Sequence, residues 1–137
     1  IARTFINPGQ ANREKAVKLK LNPLKASVEG RRVVMIDDSI VRGTTAKQII
    51  KLLRDAGARE VHLLSSAPKF ISPCYFGTDI PDKSLLVAVN HTTEEIARII
   101  DADSVGFLSV ESLNKIAPDS ACTHCQACFT EKYPVLG

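Results

Sequence analysis

The first compact apolar run, Val33 to Ile36, follows the basic pair Arg31-Arg32 and ends on two acids, Asp37-Asp38. Four apolar residues with β-branching, ending on carboxylates, predict a buried strand. A polar turn from Ser39 to Thr45 leads to apolar positions at Ile49, Ile50, Leu52 and Leu53, flanked by Ala46 and Ala56, with Gly57 just beyond. This spacing predicts a helix closed by a glycine. Val61 to Leu64 predicts a second short strand. Strand, helix and strand in this order over residues 33–64 predict a βαβ unit with parallel strands.

From Pro68 through Pro73 to Pro81 the chain is too broken by proline for regular elements and reads as a structured loop. Leu85 to Val89 fits a strand or an apolar helical turn, and periodicity does not choose between them. Thr92 with Glu95 three residues later forms a capping box, which predicts a short helix through Ile100. Val105 to Leu108 fits a strand, and Ser109 is placed to cap a last helix through Ile116. Residues 119–137 read as a tail with three cysteines.

The 137 residues suit one domain, and the 45% hydrophobic and 24% charged content excludes disordered, collagen-like and coiled-coil chains. No apolar run is long enough to span a bilayer, and residues 1–10 lack the apolar core of a signal peptide, so a cytoplasmic location and no membrane partner are expected. Ile1 stands where translation would place Met, which reads as a piece of a longer protein. The net charge of +3 conceals an asymmetry. Residues 1–32 hold eight Lys or Arg against two Glu, leaving the remaining 105 residues net acidic. Such a segment suits a phosphorylated small molecule, an acidic partner or a solvated face. Nucleic acid is not expected, since the chain has no Trp, two Tyr and no nucleic-acid-binding motif.

The turn after the first strand carries the chemistry. Ligands of parallel α/β sheets bind outside the carboxyl ends of strands, where Asp37 and Asp38 stand. Ser39, Arg42, Gly43, Thr44 and Thr45 then open the helix, whose first amides favour a phosphate, while Gly43 allows close backbone approach. The two acids suit a ribose diol or Mg²⁺. A plainer reading makes Asp38 or Ser39 a helix cap and leaves the second acid solvated. The spacing is not that of a Walker A loop.

Val33 to Thr45 resembles the phosphoribosyl pyrophosphate (PRPP) loop of type I phosphoribosyltransferases, and from Asp37 to Thr45 it resembles the form found in amidophosphoribosyltransferases. Arg3 to Ile6 with Pro8 and Gln10, Lys18 to Asn22, Ala102 to Ser104 and the ending from Cys128 are also similar to that family, in its order. The resemblance implies a partial α/β domain with the parallel sheet of type I phosphoribosyltransferases over residues 1–117, in which 1–32 form a mobile basic loop region, followed by a cysteine-containing tail over 118–137. It implies glutamine-dependent transfer of ammonia to C1 of PRPP, giving 5-phosphoribosylamine at the start of purine synthesis. Asp37 and Asp38 would hold the ribose hydroxyls and Mg²⁺, Ser39 to Thr45 the 5-phosphate, and Arg3 and Lys20 the pyrophosphate. The family also implies a glutaminase domain upstream and a homotetramer. No nucleophilic N-terminal cysteine for a glutaminase occurs here, so this piece is expected to be inactive alone.

Cys122, Cys125 and Cys128 form a C-x-x-C-x-x-C series, and Cys74 lies in the proline-rich loop. By count these thiolates suit Zn²⁺ and a [4Fe–4S] cluster equally well. One branch of the resembled family carries a [4Fe–4S] cluster, and its pattern maps onto Cys74, Cys125 and Cys128. Its fourth ligand comes from upstream, and Cys122 is a possible substitute or a free thiol. Two alternatives remain: another type I phosphoribosyltransferase or PRPP-binding regulator, sharing only the turn, and a non-enzymatic metal-binding module, using only the cysteines.

Overall fold

The computed structural model describes residues 25–80, 82–116, 118 and 124–134. Along these, strand β1 (Arg32–Asp37), helix α1 (Thr44–Asp55) and strand β2 (Glu60–Ser65) form the expected strand–helix–strand unit. A 3₁₀ turn (Lys83–Leu85), helical turn α2 (Val87–Asn90), helix α3 (Thr93–Ile100), strand β3 (Ser104–Phe107) and the short helices α4 (Val110–Asn114) and α5 (Ala127–Thr130) follow. The three strands form one parallel sheet in the order β1-β2-β3. This is the architecture expected of a partial type I phosphoribosyltransferase domain.

One sheet face carries the core. Met35 pairs across the sheet with Leu63, and Leu63 with Val105. On them rest Ile50 and Leu53 of α1 and Ile96 and Ile100 of α3. Leu63, Ile50, Ile96 and Ile100 are wholly buried, each removal from water contributing roughly 1.5–3 kcal/mol. The opposite face presents Val34 (58% exposed) and Ile36 (71% exposed), with Leu64 beside Ile36 and Gly106 beside Leu64. The strand expected to be buried is covered by the described residues on one face only, because α1 and α3 pack on the same side.

Helix boundaries follow local chemistry. Thr92 accepts the Glu95 amide at 3.2 Å and the Glu95 carboxylate accepts the Thr92 amide at 2.8 Å, completing the expected capping box. Ser109 likewise caps α4 through the Ser112 amide, although α4 ends at Asn114 rather than Ile116. Leu85 to Val89 is not a strand: it spans the 3₁₀ turn and α2, fixed where the Val87 amide donates to the Val41 carbonyl at 2.9 Å. Among the described residues, no helix is long and apolar enough to cross a membrane.

The proline-rich segment forms an ordered loop with a single antiparallel bridge between Cys74 and Ile80. The cysteine-containing end packs onto it. The Cys128 carbonyl accepts the Ile71 amide at 2.9 Å and the Ser72 amide at 3.2 Å, and Phe129 tilts against Phe70 with ring centres 4.8 Å apart. The Tyr133 hydroxyl donates to the Pro73 carbonyl at 2.7 Å and also hydrogen-bonds the Ser72 hydroxyl. Phe70, Ile80 and Leu86 form a second small core under this contact, with Cys74 and Cys128 at its margin.

Candidate functional site

Strand β1 delivers Asp37 to the carboxyl edge of the sheet, and the chain turns before α1 begins at Thr44. Ile40, 2% exposed, pins this turn to the core. Gly43 is the N-cap residue, left-handed at φ 77°, so neither Asp38 nor Ser39 caps the helix. With no side-chain cap and no acid in its first turn, α1 presents its leading amides to an anion. Asp37, Asp38, Ser39, Arg42, Gly43, Thr44 and Thr45 line one open cavity of about 440 Å³, the scale of a small-ligand site.

The acids occupy a distinct part of this turn. The Asp38 amide donates to the Asp37 carboxylate at 3.0 Å, and the Ser39 hydroxyl donates to the Asp38 carboxylate at 3.3 Å. Burial raises the Asp37 carboxyl above its ordinary range; the Asp38 amide pulls it partly back, and the neighbouring Asp38 charge pushes it up again. Two adjoining carboxylates, one of them strained in its ionised form, are a donor set suited to a hard cation or a diol.

The packing of the C-terminal segment brings the cysteines of two distant stretches into one neighbourhood. Cys74 accepts the Thr78 amide on its sulfur at 3.4 Å. Amides of Phe76, Thr78 and Gly77 lower its thiol to about 7. Burial first, and then the charge of Cys74, raise Cys128, with Cys125 adding a smaller push. The sulfurs of all three thus lie within electrostatic reach. Among the described residues no group of three or more Cys, His, Asp or Glu side chains is arranged to hold a metal ion. The soft thiol sulfurs nevertheless fit a thiophilic metal or cluster in donor type.

Comparison with known proteins agrees along the whole chain. An amidophosphoribosyltransferase of Methanocaldococcus jannaschii is 53% identical over 134 residues, covering 98% of this chain and 28% of that protein. One from Bacillus subtilis is 51% identical over 138 residues, covering 98% of this chain and 29% of that protein. The chain belongs to the amidophosphoribosyltransferase family. A solved structure of the glutamine PRPP amidotransferase of B. subtilis, complexed with ADP and GMP, superposes with a TM-score of 0.75 at 48% identity over 97% of this chain and 30% of that one. No family model matches the chain. The chain therefore spans less than a third of the length of these relatives.

Within this amidophosphoribosyltransferase segment, the structure brings Asp37, Asp38, Ser39, Arg42, Gly43, Thr44 and Thr45 together around one cavity. Arg3, Lys20 and Cys122 lie outside the described residues. Asp79, in the proline-rich loop, lines the same cavity but carries no local sequence pattern that marks a site. Its contribution depends on a loop fold that periodicity does not encode. Tyr133 was missed for a similar reason: its role in bringing the cysteine-containing segment to the loop is a contact across 60 residues.

Proposed function

We propose that this chain supplies the PRPP-binding part of an enzyme that transfers glutamine-derived ammonia to C1 of PRPP, giving 5-phosphoribosylamine and pyrophosphate in the first step of purine synthesis. The observation that carries the reading is the cavity in which one turn sets uncapped helix amides beside two carboxylates. PRPP has a matching arrangement, a 5-phosphate at one end and a ribose diol beside the leaving pyrophosphate. In this assignment the amides of Gly43, Thr44 and Thr45 and the hydroxyls of Ser39, Thr44 and Thr45 bind the phosphate. Arg42 adds positive charge at the mouth of the turn. Asp37 and Asp38 orient the ribose hydroxyls.

Asp37 and Asp38 would also hold Mg²⁺, which when bound offsets the charge of the departing pyrophosphate. The chain's own contribution is positioning: it fixes the ribose so that ammonia approaches C1 in line with the bond that breaks. No protein nucleophile is needed, since cationic character develops at C1 as pyrophosphate leaves and fixed carboxylates nearby stabilise it. Arg3 and Lys20 are assigned to the pyrophosphate, whose negative charge their cations would offset.

The cysteines belong to a second site, a structural [4Fe–4S] cluster held by Cys74, Cys125 and Cys128, with Cys122 a possible further ligand. The depressed Cys74 thiol and its proximity to Cys128 support this reading. An upstream glutaminase domain as the ammonia source, a homotetramer and a cytoplasmic location complete the proposal. The test is pyrophosphate release from PRPP by the full-length protein with ammonia or glutamine as donor. Release with both donors, lost in Asp37→Asn, is expected. Turnover of Asp37→Asn at the unsubstituted rate would overturn the assignment of the turn.

A further inference from the structure

Asp79, in the proline-rich loop, lines the same cavity as the phosphate turn, one residue before the buried Ile80. Both residues flanking it are tied to Cys74. The Cys74 amide donates to the Ile80 carbonyl at 3.0 Å, and the Thr78 amide donates to the Cys74 sulfur at 3.4 Å. The Ile80 amide closes the bend by donating to the Thr78 carbonyl at 2.8 Å. The backbone under Asp79 is thus fixed on both sides. Its carboxylate has no hydrogen bond or ion pair among the described residues, although Lys83 is only four positions away and pairs instead with Glu131.

We propose that Asp79 is a substrate-binding residue of the phosphoribosyl site, a third carboxylate in the cavity that acts on the ribose and metal side of the bound ligand. The inference rests on the phosphoribosyl reading given above and extends it to a residue outside the turn. An unpaired carboxylate held on a braced loop in the wall of a ligand cavity repels a bare phosphate and attracts hydroxyl donors or a hydrated cation. The phosphate end of the cavity is already provided with amides and hydroxyls at Gly43 to Thr45. Asp79 therefore discriminates between ligands: it assists the metal-bound ribose diphosphate end and contributes nothing to the 5-phosphate. The carboxylates do not converge into a metal cage among the described residues, so Asp79 acts through the bound ligand rather than by completing a ready-made cation site.

Equilibrium binding to the full-length protein separates the possibilities. PRPP is titrated with and without Mg²⁺, and ribose 5-phosphate without metal, into the unsubstituted protein, Asp79→Asn and Asp79→Glu. The expected result for Asp79→Asn is an approximately tenfold weaker PRPP affinity with Mg²⁺, ribose 5-phosphate affinity unchanged within about twofold, and recovery of most PRPP affinity in Asp79→Glu. Unchanged PRPP affinity in Asp79→Asn would overturn the role of Asp79 and leave the phosphoribosyl reading standing. Equal weakening of PRPP and ribose 5-phosphate would also overturn it, because a residue that merely supports the fold affects both. Failure of the unsubstituted protein to bind either ligand would overturn the phosphoribosyl reading and this inference together.

Discussion

A Cβ built on Gly43 would stand 3.1 Å from the Cγ2 of Ile100, so the phosphate turn rests directly on the last buried turn of α3. Gly43 has φ 77°, a left-handed conformation that a side chain disfavours. The site and the core share this contact. Gly43→Ala is expected to cost roughly 1–2 kcal/mol from backbone strain, with further loss if Ile100 cannot move aside. Thermal unfolding and ribose 5-phosphate binding should both weaken in this variant. A variant as stable and as tightly binding as the unsubstituted protein would show that the close contact is readily relaxed.

Asp37, assigned here to the ribose and metal, is held at the expense of stability. Because its carboxyl is raised in the folded state, chiefly by burial, the neutral form is favoured: its contribution is present below the ordinary carboxylate range and lost as pH rises through the raised value. At neutral pH the ionised group is a net cost. Asp37→Asn is therefore expected to raise the melting temperature at pH 7 by roughly 1–3 °C while abolishing PRPP binding. The gain should vanish near pH ~3, where the acid is itself protonated. Melting curves at the two pH values check the sign.

The turn was legible in the sequence because its chemistry is contiguous: Asp37 to Thr45 is a single run, and the strand before it and the helix after it are set by local periodicity. The same holds for α3, whose capping box lies within four residues. What was not legible depends on distant partners. The Val41 carbonyl that fixes α2 is 46 positions from the Val87 amide, and no local pattern encodes that bond. The apolar run of β1 predicts a buried strand, yet Val34 and Ile36 stay exposed among the described residues. Asp79 and Tyr133 enter through the loop and the C-terminal segment, which are organised by contacts with each other rather than by periodicity.

The thiols should separate by pH. With Cys74 lowered to about 7 by the amides of Phe76, Thr78 and Gly77, and Cys128 raised by burial, alkylation of metal-free protein at neutral pH is expected to reach Cys74 well before Cys128. The Cys74 rate should level off above pH 8, which site-resolved mass spectrometry of iodoacetamide adducts would record. A Cys74 rate still climbing through pH 9 would show an ordinary thiol.

Arg54 joins three elements. Its guanidinium donates to the Asp101 carbonyl at 3.0 and 2.7 Å and to the Asp103 carboxylate at 3.1 Å, and that carboxylate also accepts the Val61 amide at 2.7 Å. The Val61 amide, and then Arg54, hold Asp103 below its ordinary range, so this stabilisation is present at neutral pH and is lost as pH falls through the lowered value. Arg54→Ala is expected to cost roughly 1–2 kcal/mol at pH 7, and less in acid, by denaturant unfolding. An equal cost at both pH values would place the effect in the carbonyl contacts alone.

The most direct test of the central claim is a crystal structure of the full-length protein with PRPP and Mg²⁺ bound. The 5-phosphate is expected within hydrogen-bond distance of the amides of Gly43, Thr44 and Thr45, with the ribose hydroxyls toward Asp37 and Asp38. PRPP bound with its 5-phosphate away from this turn would contradict the account.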